Sequence, residues 1–167
     1  VPAPGEIDVV FLKKFRKLIL SFTKRGYKFA IVTGGGKICR VYQKAAKDLI
    51  NASFEDLDWI GISLTKINAL LLKTIFGKNA CPEVIDNPTK KINFSKYKIV
   101  FAGGWKPGCS SDMDAVLIAK TLGAEKIINL SNISFVFDKD FNVYKDAKTI
   151  KDISWNDYLK LAGSKWI

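Results

Sequence analysis

Two stretches of this chain carry residues whose types and order could handle a phosphorylated ligand. The first runs Gly103-Gly104-Trp105-Lys106-Pro107-Gly108-Cys109-Ser110-Ser111-Asp112, a glycine-rich loop ending in three successive residues able to cap a helix. Exposed N–H groups in such a loop, and in the first turn of the helix after it, suit an anion, most naturally a phosphate. The second is Thr33-Gly34-Gly35-Gly36, again a glycine run that opens a helical pattern. Arg40 stands one turn into that helix, where its fork could reach a phosphate. Each feature also has a plainer reading. Every helix needs a cap, tight strand-to-helix turns select glycine anyway, and a helix arginine can be merely solvated. The first loop, however, is longer than the roughly 2–6 residues such connections take, which favours a ligand there.

Composition narrows the chemistry. The chain has 0 histidines, so Ser-His-Asp, Cys-His and histidine-ligated zinc sites are excluded. Phosphoryl transfer survives, because it depends on positioning, cations and N–H donors around the phosphates more than on a histidine base. The 3 cysteines, Cys39, Cys81 and Cys109, are odd in number and share no metal-ligand spacing, which fits reduced thiols in a cytosol. No metal ligands are assigned. With 27 basic against 16 acidic residues the net charge is +11. The lysines are scattered and not interleaved with aromatics, so the surplus points to steering of an anionic substrate more than to nucleic acid. No signal-peptide pattern opens the chain and no apolar run approaches a membrane span, so no membrane association is expected.

The elements that must position these residues follow from hydrophobic period. Phe11, Phe15, Leu18, Ile19 and Phe22 recur at helical spacing after Asp8, a plausible cap, and Gly26 ends that helix. Tyr27 to Thr33 reads as a buried strand. After the glycine run, Ile38, Val41, Tyr42, Ala45 and Leu49 continue as an amphipathic helix. Asn51 to Asp56 is a polar break, and a long apolar helix is expected over roughly 58–76, with Asp58 at its start as a default cap. Its first half keeps Gly61, Ser63, Thr65 and Asn68, small or polar residues that let another backbone or a ligand come close. A short strand near Glu83 to Ile85 precedes the apolar run Ile99 to Ala102, which is long enough for one buried strand. Beyond the Gly103–Asp112 stretch, Ala115 to Leu122 is helical, Gly123 closes it, and Lys126 to Leu130 reads as another strand. Ser134 to Tyr144 looks like a hairpin, Lys145 to Asp152 like a charged connection, and Ser154 with Asp157 starts a last helix closed by Gly163. Strand, loop, capped helix, strand is a βαβ unit, and open α/β sheets bind ligands at the carboxyl ends of such strands.

Taken in order, these motifs resemble the uridylate (UMP) kinases of the amino-acid-kinase superfamily, more the archaeal-type branch than the common bacterial one. The matching pieces are Thr33 to Lys37 with Arg40, Asp58-Trp59-Ile60-Gly61 through Asn68, Gly103 to Asp112, Asn129 to Asn132, and the hairpin to Asp140. The resemblance implies a three-layer α/β/α sandwich with a mostly parallel central sheet and a small nucleotide-site hairpin, over residues 1–167 as a single domain. It implies ATP-dependent phosphorylation of UMP to UDP, with Mg²⁺ carried in by ATP. The UMP-binding set would be Gly35, Asp58, Trp105, Lys106, Pro107, Gly108, Cys109, Ser110 and Ser111. The ATP-binding set would be Gly36, Arg40, Ser131, Asn132, Phe137 and Asp140. Asp112 would orient cationic groups about the transferring phosphoryl, and Arg40 would serve catalysis as well. A cytoplasmic homo-oligomer, often a hexamer, is the family's habit.

The chain also departs from that pattern. Family members begin with a strand ending in a glycine turn and continue with a further helix and strand beyond Trp166–Ile167; this sequence lacks the counterparts. Ser134 stands where aspartate is usual, Phe137 where tyrosine is common, Phe141 where proline is frequent, and Lys66 where arginine is common. The rival readings are a superfamily kinase acting on a small carboxylate or phosphate acceptor, and a nucleotide-binding oligomer without turnover. Asp58 discriminates among the kinases, since a ribose-binding acid has little use in an amino-acid pocket.

Overall fold

The computed structural model describes residues 6–92, 94, 96–131 and 135–162. The chain divides at Ile127/Ile128 into two compact units.

The first unit is an α/β layer structure built on a parallel sheet. Its opening helix α1, Val9–Lys24, is capped by Asp8, whose Oδ1 accepts the Phe11 N–H at 2.8 Å. Strand β1 is Phe29–Val32, helix α2 Gly36–Ile50, and helix α3 Phe54–Phe76, with a 3₁₀ turn at Gly77–Asn79. Strand β2, Val84–Ile85, and strand β3, Ile99–Ala102, precede helix α4, Ser111–Leu122. The strand order is β1-β3-β2, all parallel, with Val32 opposite Ala102 and Ile85 also opposite Ala102. All four residues of β3 are buried, as a central parallel strand requires when both of its faces are covered. Ile99 and Phe101 join Ile19 of α1 and Ala69 and Phe76 of α3 in one apolar cluster, with the Phe76 and Phe101 rings 5.2 Å apart. Val100 and Ala102, which point the other way, are buried too, and α4 lies against β1.

The second unit is small. Strand β4, Val136–Phe137, pairs antiparallel with strand β5, Thr149–Ile150, and helix α5 is Trp155–Ala162. Ser154 Oγ accepts the Asp157 N–H at 3.1 Å, the cap expected at that point. Gly163, expected to end this helix, lies outside the described residues.

Four expectations are corrected. Helix α3 starts earlier than the polar break suggested: Ser53 caps it and forms a capping box with Asp56, so Asp58 lies inside the helix and is not its cap. Residues 126–130 form no strand. Their alternation supplies apolar side chains but no ladder partner among the described residues, and Ile128 and Leu130 are 69% and 68% exposed. The partner of β4 is not 141–144 but β5, in what read as a charged connection. Asp140 is the reason: its carbonyl accepts the N–H of Val143 and Tyr144, and its Oδ1 accepts the Asn142 N–H at 2.8 Å, curling the chain where a strand would have to extend. Finally, residues Phe54–Asn79 have the length and hydropathy to cross a bilayer, although no run of unbroken apolar residues does. In the fold that helix packs on β3 and on α2.

Candidate functional site

Helix α3 is the pedestal on which both glycine stretches rest. It passes so close beneath the carboxyl end of β3 that Gly103 and Gly104 leave no room for a side chain. A Cβ on Gly103 would lie 2.7 Å from Lys66 Cγ and 3.0 Å from the Lys66 backbone, and one on Gly104 would lie 3.2 Å from Ile62 and Thr65. Thr65 uses this proximity. Its hydroxyl donates to the Ile62 carbonyl at 2.6 Å and accepts the Gly104 N–H at 2.7 Å. Its own carbonyl accepts the Thr33 hydroxyl at 2.8 Å, which fastens the end of β1 to the same turn of helix. One turn further, Asn68 donates Nδ2–H to the Gly34 carbonyl at 2.7 Å. Small and polar residues early in α3 therefore do admit close neighbours. Gly61 likewise faces Gln43 and Cys39 of α2, and Gln43 Nε2 donates to the Leu57 carbonyl at 2.8 Å.

Because β1 and β3 are adjacent and parallel, their carboxyl-end loops meet. A Cβ on Gly34 would find Ser111 Oγ as its nearest neighbour, at 3.9 Å. Gly35 caps α2 without a side chain, and a Cβ there would collide with Cys39 Cβ at 2.7 Å. Gly36 has φ +67°, the left-handed region that favours glycine. Arg40 is exposed one turn into α2 and has no hydrogen-bond or ion-pair partner among the described residues. Burial raises the pKa of its neighbour Cys39, an effect that the Arg40 charge partly offsets.

The longer loop is tied by its amides. Trp105 N–H donates to Asp114 Oδ2 at 3.2 Å, Gly108 N–H to Asp58 Oδ2 at 2.8 Å, and Cys109 N–H to the Lys106 carbonyl at 3.1 Å. Several of the donors expected to serve a phosphate thus have protein acceptors. Lys106 folds back, its Nζ 4.2 Å from the centroid of the Trp105 ring. Pro107 is half-buried between them and Gly108, whose φ is +78°. Ser110 is the N-cap of α4, its Oγ accepting the Met113 N–H at 3.1 Å, so Asp112, exposed in the first turn, does not cap the helix. Its negative charge beside the helix N-terminus is favourable in its own right.

Asp58, Gly34–Gly36, Arg40, the 104–111 loop and Asp112 are all brought into the first unit, and Gly35, Asp58 and the loop are joined through α3. The other expected residues lie in the second unit. Phe137 is half-buried against Phe141, ring centroids 4.9 Å apart, and Asp140 is exposed with Oδ1 engaged by Asn142. Ser131 is exposed, and Asn132 and Ser134 fall outside the described residues.

Sequence reasoning missed Asp114. It is fully buried on α4, with Oδ2 on the Trp105 amide and Oδ1 without a partner among the described residues, and burial raises its pKa, an effect the Trp105 hydrogen bond partly offsets. The signal was present: Asp114 and Ile118 are four residues apart, so a carboxylate sits on the apolar face of the helix.

The sequence matches the Amino acid kinase family over residues 3–167. It is 35% identical over 156 residues to a uridylate kinase of Methanobrevibacter smithii, covering 92% of this chain and 69% of the relative. A uridylate kinase of Thermoplasma volcanium is 34% identical over 158 residues, covering 93% and 67%. Among solved structures, the uridylate kinase of Archaeoglobus fulgidus aligns with a TM-score of 0.79 at 31% identity, over 90% of this chain and 70% of that one. A UMP kinase of Bacillus anthracis, at 23% identity and TM-score 0.76 over 94% and 70%, supports the fold alone.

Proposed function

This chain belongs to the amino acid kinase family, and on that premise we propose that it transfers the terminal phosphoryl group of ATP to UMP, giving UDP. The observation that carries this reading is the position of Asp58. One oxygen of its carboxylate is fixed on the Gly108 amide, at the rim of the loop that adjoins the GGG turn. Its other oxygen is suited to a ribose hydroxyl, placing a nucleoside with its phosphate toward the two loops.

In this assignment Gly35, Asp58 and the loop Trp105–Ser111 hold UMP, with the hydroxyls of Ser110 and Ser111, the Lys106 ammonium and the N-terminus of α4 facing its phosphate. Gly36, Arg40, Ser131, Asn132, Phe137 and Asp140 serve ATP, Phe137 offering adenine an apolar surface and Asp140 a ribose acceptor. Mg²⁺ enters with the ATP phosphates. Arg40 stabilises charge that develops as the phosphoryl group moves, and Asp112 orients the cationic groups around it. We place the enzyme in the cytoplasm and as a homo-oligomer, for which the exposed Tyr42, Leu49 and Ile50 of α2 and Trp59, Ile67 and Leu70 of α3 supply apolar surface.

A coupled assay across UMP, CMP, glutamate and aspartate tests the acceptor. UMP is expected to give the highest kcat/KM. A carboxylate preferred over UMP would overturn the reading, as would UMP binding in calorimetry without any UDP formed.

A further inference from the structure

Ser110 as the cap and Asp112 in the first turn account for the N-terminus of α4, but nothing in the reaction accounts for the carboxylate two residues further on. Asp114 is 0% exposed and lies on the same helix face as Ile118, itself 2% exposed. A side chain that only filled this space would not be an acid, because taking a carboxyl out of water is unfavourable unless its oxygens are satisfied. One of its oxygens is satisfied and one is not: Oδ2 accepts the Trp105 N–H at 3.2 Å, while Oδ1 is buried with no partner among the described residues. The bond that is made reaches back nine residues, from the first turn of α4 to the start of the loop that the same helix terminates. It therefore closes the loop onto its own helix.

We infer that Asp114 is a positioning residue for the acceptor loop: through the Trp105 amide it fixes where residues 105–110 leave β3. Three bonds then hold the loop in order along the chain, Gly104 N–H on Thr65, Trp105 N–H on Asp114 and Gly108 N–H on Asp58. Thr65 and Asp58 come from α3, and Asp114 alone comes from α4. Without it the Trp105 end of the loop has no tie to the helix whose N-terminus faces the acceptor. The raised pKa of Asp114 fits this role, since accepting one N–H does not require a charge. An asparagine, which keeps a carbonyl oxygen of the same reach, should do the same work, whereas leucine, of similar shape, cannot accept the bond.

The inference rests on the reading of this loop as the UMP site, and its test has an arm that does not. The Trp105 amide exchange rate and the UMP dissociation constant are to be measured for the wild type, D114N and D114L, with melting temperatures alongside. D114L should exchange the Trp105 amide at least tenfold faster and bind UMP about tenfold more weakly, with kcat changed less than KM. D114N should stay within about twofold of wild type in both. Should D114L fail to fold, D114A takes its place under the same criteria. Unchanged Trp105 exchange in the folded leucine or alanine variant overturns the inference, and so does D114N behaving like D114L. Faster exchange in D114L in a protein whose wild type does not bind UMP supports the tie and overturns the assignment of the loop's ligand.

Discussion

The two glycine stretches end adjacent strands of one sheet and rest on one helix, yet they are fastened from opposite sides of the peptide group. The GGG turn is held through a carbonyl, that of Gly34, by Asn68, with Thr33 anchored beside it on the Thr65 carbonyl. This leaves the amides of Gly34, Gly35 and Gly36 without a protein acceptor among the described residues. The longer loop is held through its amides, by Thr65, Asp114 and Asp58. Only one of the two loops is therefore placed to offer backbone donors to an anion. A turn fastened by its oxygens presents N–H groups, and a loop fastened by its N–H groups must recognise phosphate by hydroxyls, a lysine and the helix N-terminus behind it. That division agrees with placing the GGG turn between donor and acceptor phosphates and the longer loop on the acceptor alone.

The sharpest way to break the comparison is to fill the glycines. Gly103→Ala sets a Cβ 2.7 Å from Lys66 Cγ and 3.0 Å from Lys66 backbone, and backbone cannot give way without unseating the Thr65–Gly104 bond. A loss of about 3 kcal/mol is expected. At roughly 2–4 °C per kcal/mol for a chain of this size, the melting temperature should fall by about 6–12 °C. Gly34→Ala meets nothing closer than Ser111 Oγ at 3.9 Å, so its melting temperature should move by no more than about 2 °C, within the range of an unstrained surface change. Equal effects in the two variants would show that α3 does not press on the longer loop as described.

A kinetic crossing sharpens the same division. Arg40→Ala, beside the GGG turn, should lower kcat about 100-fold while the UMP KM changes only slightly, because the interaction forms with charge in the transition state. Asp58→Asn, at the longer loop, should raise the UMP KM about tenfold and leave kcat and the ATP KM nearly unchanged. Asp112→Asn should lower kcat with both KM values and the melting temperature retained, since Ser110 performs the capping. Steady-state kinetics with melting curves on the three variants decide it. A fall in stability without a fall in kcat for Asp112→Asn would return that residue to a structural role.

Much of this was legible in the residues. Asp8, Ser110 and Ser154 announced helix starts because capping is local, readable from four or five consecutive residues. The glycine loops and the buried β3 were legible for the same reason, and the order of motifs carried the family. What failed depended on partners distant in sequence. Lys126 to Leu130 has a strand's composition, but a strand exists only where another strand offers its ladder. The strand expected after Asp140 fails because the Asp140 Oδ1 and carbonyl oxygen organise a turn of the chain, so the strand that pairs with β4 comes later, at Thr149–Ile150. The start of α3 is the exception, a local signal: Ser53 and Asp56, only five and two residues earlier, form a capping box and leave Asp58 inside the helix. Its hydrogen bond to Gly108, 50 residues away, is invisible to any periodicity.

The smallest effect concerns the cost of keeping an acid under the longer loop. Asp114 has a pKa raised above the ordinary 3.8 in the folded protein, chiefly because burial disfavours its charged form. The unfolded chain, with its carboxyl in water, ionises near 3.8. Below that value both states are protonated, and the acid costs the fold nothing through ionisation. As the pH rises above it, the unfolded state gives up its proton first, so stability falls until the pH has passed the folded-state pKa and then stays level. Asp114→Asn cannot ionise and removes this slope while keeping an oxygen for the Trp105 amide. The variant should therefore gain stability relative to wild type between pH 4 and pH 7, by a few degrees in melting temperature at most. The GGG turn, which has no buried acid beneath it among the described residues, gives the control: substitutions there such as Gly34→Ala should shift melting equally at both pH values. A wild-type and D114N difference that is the same at pH 4 and pH 7 would mean that Asp114 is charged in the fold as readily as in water, and that the oxygen lacking a protein partner is hydrated.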